Sequence, residues 1–280
     1  MSPNSMRSGR LLAAEREAVH AALTDLYGPG NDLEQAPDLL LAYFDDATVV
    51  RLAKAFMARQ QDVMTAGHAV VIAAGPPGAG KTEALKTLDL KGYRLIDPDD
   101  AKDLILDDAE RHGLLSYPHK YTLPDGKPVG VRELASHVHT ISTRTTNLVR
   151  QMALATGENV VIDGTLSWEK LPAQYIDELF MSRYEEVDIV DVETIRETAI
   201  ERARQRWWSG RLQDPVMGGR FVPDAVIEHC YTSGPESICA VNALKLAKMA
   251  ADTVGRGTLR RFDVDQATGK VRPSNVITFE

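Results

Sequence analysis

The segment VVIAAGPPGAGKTEA (70–84) contains a Gly-Lys-Thr triplet at 80–82 and matches the pattern G-x-x-x-x-G-K-[ST]. Glycines in such a loop let the backbone wrap closely around phosphate oxygens, and successive N–H groups point at those oxygens. Lys81 would then bridge the β- and γ-phosphates, and Thr82 would ligate Mg²⁺. An apolar run precedes the motif and a helix-forming run follows it, so the pattern predicts a nucleotide-binding phosphate loop. Its predicted residues are Gly75, Pro76, Pro77, Gly78, Ala79, Gly80, Lys81, Thr82 and Glu83.

A second group of chemically competent residues lies in YRLIDPDDAKDLI (93–105), where the three acids Asp97, Asp99 and Asp100 follow an apolar run. Parallel strands share their carboxyl edge, so an Asp here is expected on the same edge as the phosphate loop. Asp99 is the predicted general base, taking the proton of a hydroxyl that attacks the γ-phosphate. The alternative is helix N-capping, for which Asp and Pro before a helix are typical. With three acids present, both interpretations can hold.

The segment NVVIDGT (159–165) helps to separate classes of phosphate-loop protein. A motor or AAA ATPase should end such a strand in Asp-Glu, whereas here Asp163 is followed by Gly164. A switch GTPase should carry an N-K-x-D-like motif, and the sequence shows none. Asp163 is still predicted near Mg²⁺, in a Walker-B-like position.

The segment 199–229 combines arginines with two adjacent tryptophans. Arginines spread positive charge around a transferring phosphoryl group, which a phosphotransferase needs. One alternative is a basic amphipathic helix that pairs with an acidic surface. A second is a nucleic-acid patch in which Trp207 and Trp208 stack on bases. The arginines are Arg202, Arg204, Arg206, Arg211 and Arg220.

Residues 132–156 are predicted to form a long helix with an apolar stripe and a polar stripe one residue earlier at each step. The polar stripe would line a cleft, although a solvated helix face is the interpretation that the pattern alone favours. The apolar stripe is Leu134, Val138, Ile141, Leu148 and Met152. The polar stripe is Glu133, His137, Thr140, Arg144, Asn147 and Gln151.

The elements that must position these residues alternate between strands and helices from residue 69 on. This alternation predicts an α/β fold, a P-loop NTPase-like parallel sheet with helices on both faces. Two late strands are predicted in GTLRRFDV (257–264) and NVITF (275–279), and an irregular excursion near the sheet edge over 113–131. A helical N-terminal region, 1–67, is predicted to precede a kinase domain, 68–280.

Composition narrows the function classes further. The 280-residue chain has a formal net charge of −8, which argues against general nucleic-acid binding. Its two cysteines, Cys230 and Cys239, have no zinc-ligand spacing and make no disulfide framework. The start of the chain lacks the apolar core of a signal peptide, and no uncharged apolar run approaches the roughly 18 residues of a membrane span. We therefore expect a cytoplasmic protein that does not engage membranes.

Five ordered segments over residues 69–232 resemble the zeta-toxin family of P-loop small-molecule kinases. They are the strand with GPPGAGKT, the segment LIDPDDAK, a long helix preceded by Glu133, the segment GENVVIDGTLS (157–167), and an arginine-containing helix followed by GRFVPDAVIEH (219–229). The phosphate loop alone occurs in hundreds of families, whereas the five segments in this order are much more specific. A second acidic position of the family falls at Asn147 here.

The resemblance implies an ATP- and Mg²⁺-dependent kinase that phosphorylates a sugar hydroxyl of UDP-N-acetylglucosamine. It places the catalytic aspartate at Asp99, and charge-stabilising arginines at Arg220 and at either Arg202 or Arg206. It also implies inhibition by an antitoxin, either a separate protein or, as we hypothesise from its length and helical pattern, residues 1–67 in cis. Extra helices packed on the sheet are the alternative. Substrate contacts are expected from Asp99, Lys102, Glu133, His137, Asn147, Asp163 and Thr165.

Two rival functions remain open on the sequence. One is a kinase for another acceptor, such as a nucleotide, a dinucleotide, an antibiotic or a nucleic-acid end. The other is a regulatory module that binds ATP and a protein partner without phosphorylating anything. The role of Asp99 discriminates them, since only a kinase needs its carboxylate.

Overall fold

A computed structural model describes residues 3–231 and 236–280 of the chain, with side chains described from residue 11 on. Six strands form one sheet in the order β2-β3-β1-β4-β5-β6. The first five strands in this order are parallel, and β6 runs antiparallel to β5. The strands are β1 (Val70–Ala74), β2 (Arg94–Ile96), β3 (Val160–Ile162), β4 (Glu186–Glu193), β5 (Arg256–Val264) and β6 (Val271–Phe279).

The predicted α/β fold with a parallel sheet is confirmed, and both late strands are present. The antiparallel β6 departs from a fully parallel sheet because only a short turn joins it to β5. A parallel return would need a crossover of a dozen or more residues.

Ten α-helices surround the sheet in the described part of the chain. They are α1 (Pro3–Leu26), α2 (Asp38–Tyr43), α3 (Asp46–Ala58), α4 (Lys81–Leu85), α5 (Pro98–Arg111), α6 (His139–Ala155), α7 (Leu171–Met181), α8 (Arg196–Gln213), α9 (Asp224–Glu228) and α10 (Ile238–Thr253). Three short 3-10 helices lie at Pro118–Lys120, Val131–Leu134 and His229–Tyr231. None of the helices in the described ranges combines the length and apolarity needed to cross a bilayer.

Strand β1 is buried on both faces, as a central parallel strand should be. Val70 and Ile72 face one hydrophobic cluster, which includes residues of α5, α6, α7 and α10. Val71 and Ala73 face a second cluster beneath α4. The sheet therefore has helices on both faces, as the sequence predicts.

The N-terminal helices belong to the larger of these two clusters. Val19 and Leu23 of α1, Phe44, and Leu52 of α3 are all buried in it together with the sheet residue Ile72. Helix α3 packs against α5 and α6. Residues 1 and 2 of the predicted N-terminal region lie outside the described residues. The buried residues of α1 and α3 share one hydrophobic core with the sheet.

The long helix predicted over 132–156 begins later than expected. A 3-10 helix covers Val131–Leu134, and α6 itself starts at His139. The predicted apolar stripe is also displaced, since Val149 is fully buried whereas Leu148 and Met152 are only partly buried. Several Ser and Thr hydroxyls on α6 donate hydrogen bonds to backbone carbonyl oxygens of the same helix. These bonds allow polar residues to be buried on the inner face of α6.

Candidate active site

The phosphate loop follows β1 in a conformation that its glycines make possible. Gly75 and Gly78 have positive φ angles of 139° and 84°. A Cβ atom at Gly75 would meet the Val192 carbonyl oxygen at 2.5 Å, and one at Gly78 would meet the Ala199 carbonyl oxygen at 2.2 Å. Any larger residue at these positions would push the loop away from β4 and α8. Gly75 thus lets the loop approach β4, and Gly78 lets it approach α8.

Lys81 begins α4 and folds its side chain back over this loop. Its Nζ donates hydrogen bonds to the carbonyl oxygens of Gly75, at 3.0 Å, and Pro76, at 3.4 Å. The Gly75 N–H in turn donates to the Thr165 carbonyl oxygen at 3.1 Å. The Lys81 side chain and the loop after β3 are therefore both hydrogen-bonded to the phosphate loop.

Strand register brings the acidic residues to the same edge. Ile96 of β2 pairs with Ile162 of β3, which pairs with Ile72 of β1. Asp97 and Asp163, one residue beyond β2 and β3, consequently lie side by side near the loop. The Asp163 N–H donates to the Ile96 carbonyl oxygen at 3.0 Å.

The carboxylates at this edge have pKa values shifted in opposite directions. Burial, followed by the charges of Asp163 and Asp99, raises the pKa of Asp97 to about 7. Burial also raises the pKa of Asp163, although the Lys81 ammonium opposes this shift. Burial acts in the same direction on Asp99, but Lys102, Arg220 and Arg206 together hold its pKa below the usual value. At neutral pH Asp99 is therefore ionised, as a proton acceptor must be.

Asp97 and Asp99 also differ in what they bind. One Asp97 carboxylate oxygen accepts a hydrogen bond from the Asp99 N–H at 2.8 Å, and so caps α5. Asp99 instead faces three cations, with Lys102 Nζ at 3.2 Å from Oδ1, and Arg220 Nη1 at 3.5 Å and Arg206 Nη2 at 3.9 Å from Oδ2. Helix capping thus falls to Asp97, whereas the Asp99 side chain pairs with cations.

The two arginines between which the sequence could not choose lie in different places. Arg206 reaches Asp99, and its side chain is half exposed. Arg202 instead donates to the carbonyl oxygens of Ala79, at 3.2 Å, and Gly269, and so ties the phosphate loop to the β5–β6 turn. The structure therefore places Arg206 with the acidic cluster and Arg202 against the backbone of the loop.

The residues present fit a Mg²⁺ ion at this edge of the sheet. Asp163 Oδ1 is buried and has no hydrogen-bond partner, although Lys81 lies close enough to stabilise its charge. The Thr82 side chain is exposed in the first turn of α4. Mg²⁺ that is bound to nucleotide phosphates takes only a few ligands from the protein. The unpaired carboxylate oxygen and the hydroxyl beside the phosphate loop would supply them.

A family model described as zeta toxin matches residues 55–258, which is more than half of the 280-residue chain. The chain belongs to the zeta-toxin family. A comparison with curated proteins found no match.

Solved structures share the fold of this zeta-toxin family chain. One is from the PezAT chromosomal toxin–antitoxin system of Streptococcus pneumoniae, with a TM-score of 0.54 and 15% identity over 83% of this chain and 82% of that chain. Another is the AvrRxo1-ORF1:AvrRxo1-ORF2 complex with sulphate ions, with a TM-score of 0.51 and 15% identity over 94% of this chain and 67% of that chain. The ATP-bound form of that complex gives a TM-score of 0.52 and 16% identity over 94% and 68% of the two chains.

Glu133, which the family resemblance places at the acceptor, is bound by protein groups outside the acidic cluster. It is 1% exposed, and its oxygens accept hydrogen bonds from Trp207 Nε1, Arg211 Nη1 and the Gly130 N–H, at 2.8, 2.8 and 2.7 Å. Arg211 is itself fully buried and also binds Asp125 at 2.8 Å. In this structure Glu133 and Arg211 join the 113–131 excursion to α8.

Other predicted substrate contacts are likewise engaged by protein groups. The two ring nitrogens of His137 lie 2.8 Å from the Tyr117 hydroxyl and 2.8 Å from the Leu33 carbonyl oxygen. Asn147 Oδ1 accepts a hydrogen bond from Arg150 at 3.0 Å. Thr165 is close to the loop through its carbonyl, while its hydroxyl lies 2.8 Å from that of Ser167.

Trp207 and Trp208 are 1% and 7% exposed, respectively. They belong to the hydrophobic core and present no surface on which bases could stack, contrary to the nucleic-acid interpretation of this segment. Sequence reasoning also missed Asp103, whose Oδ2 accepts a hydrogen bond from Arg220 Nη2 at 2.8 Å. Its position four residues after Asp99, on the same face of a helix, is the signal that would have found it.

Proposed function

We propose that this zeta-toxin family protein is a kinase that transfers the γ-phosphate of ATP to a hydroxyl group of a small molecule. The observation that supports this most directly is the ionised Asp99, held by Arg206 and Arg220 at the sheet edge that carries the phosphate loop. A protein that only bound nucleotide would have no need of a carboxylate surrounded by cations at this place.

Each side chain has a defined part in the proposed reaction. Backbone N–H groups of the loop and Lys81 bind the β- and γ-phosphates. Asp99 accepts the proton of the acceptor hydroxyl as its oxygen attacks the γ-phosphorus and ADP leaves. Arg206 and Arg220 neutralise the charge that spreads over the transferred phosphoryl group.

Magnesium would be held by Thr82 and Asp163, and when bound it neutralises charge on the phosphates. Asp163 suits this role because its buried Oδ1 lacks a partner within the protein. Arg202 is proposed to act indirectly, by fixing the loop through its contacts with Ala79 and Gly269.

The resemblance of the five segments to the family supports UDP-N-acetylglucosamine as the acceptor. A second candidate is a different hydroxyl-bearing acceptor, namely another nucleotide, a dinucleotide, an antibiotic or a nucleic-acid end. It is favoured by the placement of Glu133, whose carboxylate is bound on both oxygens by Trp207, Arg211 and Gly130, and of Asn147, which binds Arg150.

We further propose that the protein works in the cytoplasm and is held inactive by an antitoxin. The PezAT structure comes from a toxin–antitoxin system, which supports such a partner for this chain. The contacts of α1 bear on the hypothesis that residues 1–67 act as that inhibitor in cis. Helix α1 contacts α8 on the side of Glu201 and Arg204, whereas Arg202 and Arg206 lie on the opposite side of that helix. This placement favours support of α8 over obstruction of the site.

The proposal is tested by giving the full-length protein γ-labelled ATP and Mg²⁺ with a panel of acceptors. The panel contains UDP-N-acetylglucosamine, other nucleotides, dinucleotides, an antibiotic and RNA ends. Label that moves to one acceptor with the wild type, and not with Asp99→Asn, supports the kinase and identifies its substrate. Tight ATP binding by the full-length protein without transfer to any acceptor would favour the regulatory module instead.

A further inference from the structure

Asp103 lies between two arginines that come from different parts of the chain. Its Oδ2 accepts a hydrogen bond from Arg220 Nη2 at 2.8 Å, and its Oδ1 accepts one from Arg132 Nε at 3.2 Å. Arg132 Nη2 also lies 3.2 Å from Asp103 Oδ2. One carboxylate of α5 therefore binds two guanidinium groups, and charge-assisted hydrogen bonds of this kind fix the orientation of the groups they join.

The segments that carry the two arginines are bound to each other as well. Arg132 belongs to the 3-10 helix Val131–Leu134, and its backbone N–H donates to the Met217 carbonyl oxygen at 2.6 Å. Met217 lies three residues before Arg220 in the chain. The 3-10 helix and the segment after α8 thus form one unit, which Asp103 connects to α5 through both arginines.

Arg220 is held more closely by Asp103 than by the proposed base. Its Nη2 lies 2.8 Å from Asp103 Oδ2, whereas its Nη1 lies 3.5 Å from Asp99 Oδ2. Without the Asp103 carboxylate, we expect Arg220 to pair more closely with Asp99, because that carboxylate is already within reach. Such a pair would occupy both the acid that must accept a proton and the cation that must meet the phosphoryl group.

Resting on the proposed kinase function, we propose that Asp103 is a positioning residue for phosphoryl transfer. It holds the Arg220 guanidinium in place for the transferred phosphoryl group and leaves Asp99 free to accept the proton of the acceptor hydroxyl. Arg132 in turn fixes the Asp103 carboxylate. Asp103 follows directly after the segment LIDPDDAK, so the family resemblance assigns it no part in the reaction.

The first measurement compares kcat and KM of the full-length wild type with those of Asp103→Asn and Asp103→Glu. We expect Asp103→Asn to lower kcat on the order of 10- to 100-fold with the KM for ATP unchanged, because small displacements of catalytic groups are costly. Asp103→Glu should recover most of this loss, since it restores the charge. Asp107→Asn, one turn further along α5 where the acid pairs with Arg111, is the matched control. A wild-type kcat in Asp103→Asn would overturn the proposal.

The dependence on Arg220 separates positioning from a general structural effect. In an Arg220→Ala background, Asp103→Asn should cause little further loss of kcat, because the group that it positions is already gone. If Asp103→Asn lowers kcat by the same factor in both backgrounds, Asp103 does not act through Arg220 and the proposal is wrong.

Thermal unfolding tests the same pair without any kinase assay. Asp103→Asn should lower the Tm more in the wild type than in Arg220→Ala, since these two side chains share a hydrogen bond. Equal losses of Tm would overturn the coupling between them. If the wild type phosphorylates no acceptor, the proposed function fails, and the unfolding measurements still decide whether Asp103 holds Arg220.

Discussion

Arg220 Nη1 lies 3.5 Å from Asp99 Oδ2, so the arginine that follows α8 meets the acid that opens α5. Arg220 also binds Asp103, one helical turn further along α5. This pair connects two distant segments at the proposed site, and it keeps Asp99 charged.

The pH dependence of transfer should reflect the ionised state of Asp99. Its pKa lies below the usual value of 3.8 because the neighbouring cations outweigh burial. A base acts only above its pKa, so we expect no loss of kcat attributable to Asp99 as pH falls from 7 to 5. A steep acid limb centred between pH 5 and 6, present in the wild type and absent from the residual activity of Asp99→Asn, would contradict this assignment.

Arg206 and Arg202 should give different kinetic defects. Arg206→Ala removes a cation beside Asp99, and we expect kcat to fall on the order of 10³-fold with little change in the KM for ATP. Arg202→Ala frees Ala79 and Gly269 and should mainly raise the KM for ATP. Arg196→Ala is the matched control, because Arg196 lies on the same helix but pairs with the exposed Glu197. A larger kcat effect at Arg202 than at Arg206 would reverse the roles.

The N-terminal helix provides a test of inhibition in cis. Replacing Arg16 and Glu17 by Ala removes their ion pairs with Glu201 and Arg204 of α8, at 2.7 and 3.0 Å. If α1 supports α8, activity should fall a few-fold, and if residues 1–67 inhibit, activity should rise. Glu15→Ala, exposed on the same helix, is the control.

Deleting residues 1–67 entirely is a less specific change. It would remove Val19, Leu23, Phe44 and Leu52 from the core, and each such buried side chain contributes about 1.5–3 kcal/mol. We expect the truncated chain to lose its cooperative thermal transition. A stable truncated protein with increased activity would establish the cis-inhibitory hypothesis.

Glu133 gives a stability prediction that also bears on the acceptor. Glu133→Gln leaves the fully buried Arg211 with one charged partner instead of two, and breaking such pairs costs about 3–5 kcal/mol. We therefore expect a marked fall in thermal stability, with the KM for the acceptor unchanged in the fraction that stays folded. A raised acceptor KM with normal stability would place Glu133 at the acceptor, as the family resemblance implies.

Asp191 should make stability depend on pH. This fully buried residue of β4 has two carboxylate oxygens without hydrogen-bond partners, although Arg261 Nε lies 3.4 Å away. Burial and the charge of Glu193 raise its pKa to about 8. Because the folded state holds this proton more tightly than the unfolded state, the stabilising contribution is full below pH 4 and is lost as pH rises to 8.

Asp191→Asn removes the titrating group and should flatten this dependence. We expect its Tm to exceed that of the wild type at pH 8 and the difference to shrink toward pH 5. A change of about 1 kcal/mol corresponds to roughly 2–4 °C in a protein of this size. Asp188→Asn, on the same strand but half-buried beside Arg260, is the control. An equal Tm difference at both pH values would show that Asp191 is ionised throughout.

The sequence anticipated those parts of the structure that local patterns encode. Apolar β-branched runs marked every strand, and the glycine spacing marked the phosphate loop, because both depend on neighbouring residues. Asp99 could be singled out because the end of β2 and the phosphate loop must share one edge of a parallel sheet.

Features that depend on contacts between residues far apart in the chain could not be predicted from local sequence patterns. The polar position of Glu133 before a helix gave no sign that Trp207 and Arg211, more than seventy residues later, would bury it. The roles of Arg202 and Arg206 could be distinguished only from the path that α8 takes over the phosphate loop.

The most direct test of the role proposed for Asp99 is the identity of the phosphorylated product. UDP-N-acetylglucosamine, ATP and Mg²⁺ would be incubated with the wild type, with Asp99→Asn, and with Asp107→Asn, an exposed acid of α5 paired with Arg111. We expect the mass of the sugar nucleotide to increase by one phosphoryl group with the wild type and with Asp107→Asn, but not with Asp99→Asn, which should still bind ATP. Equal phosphorylation by Asp99→Asn would contradict the central role given to Asp99.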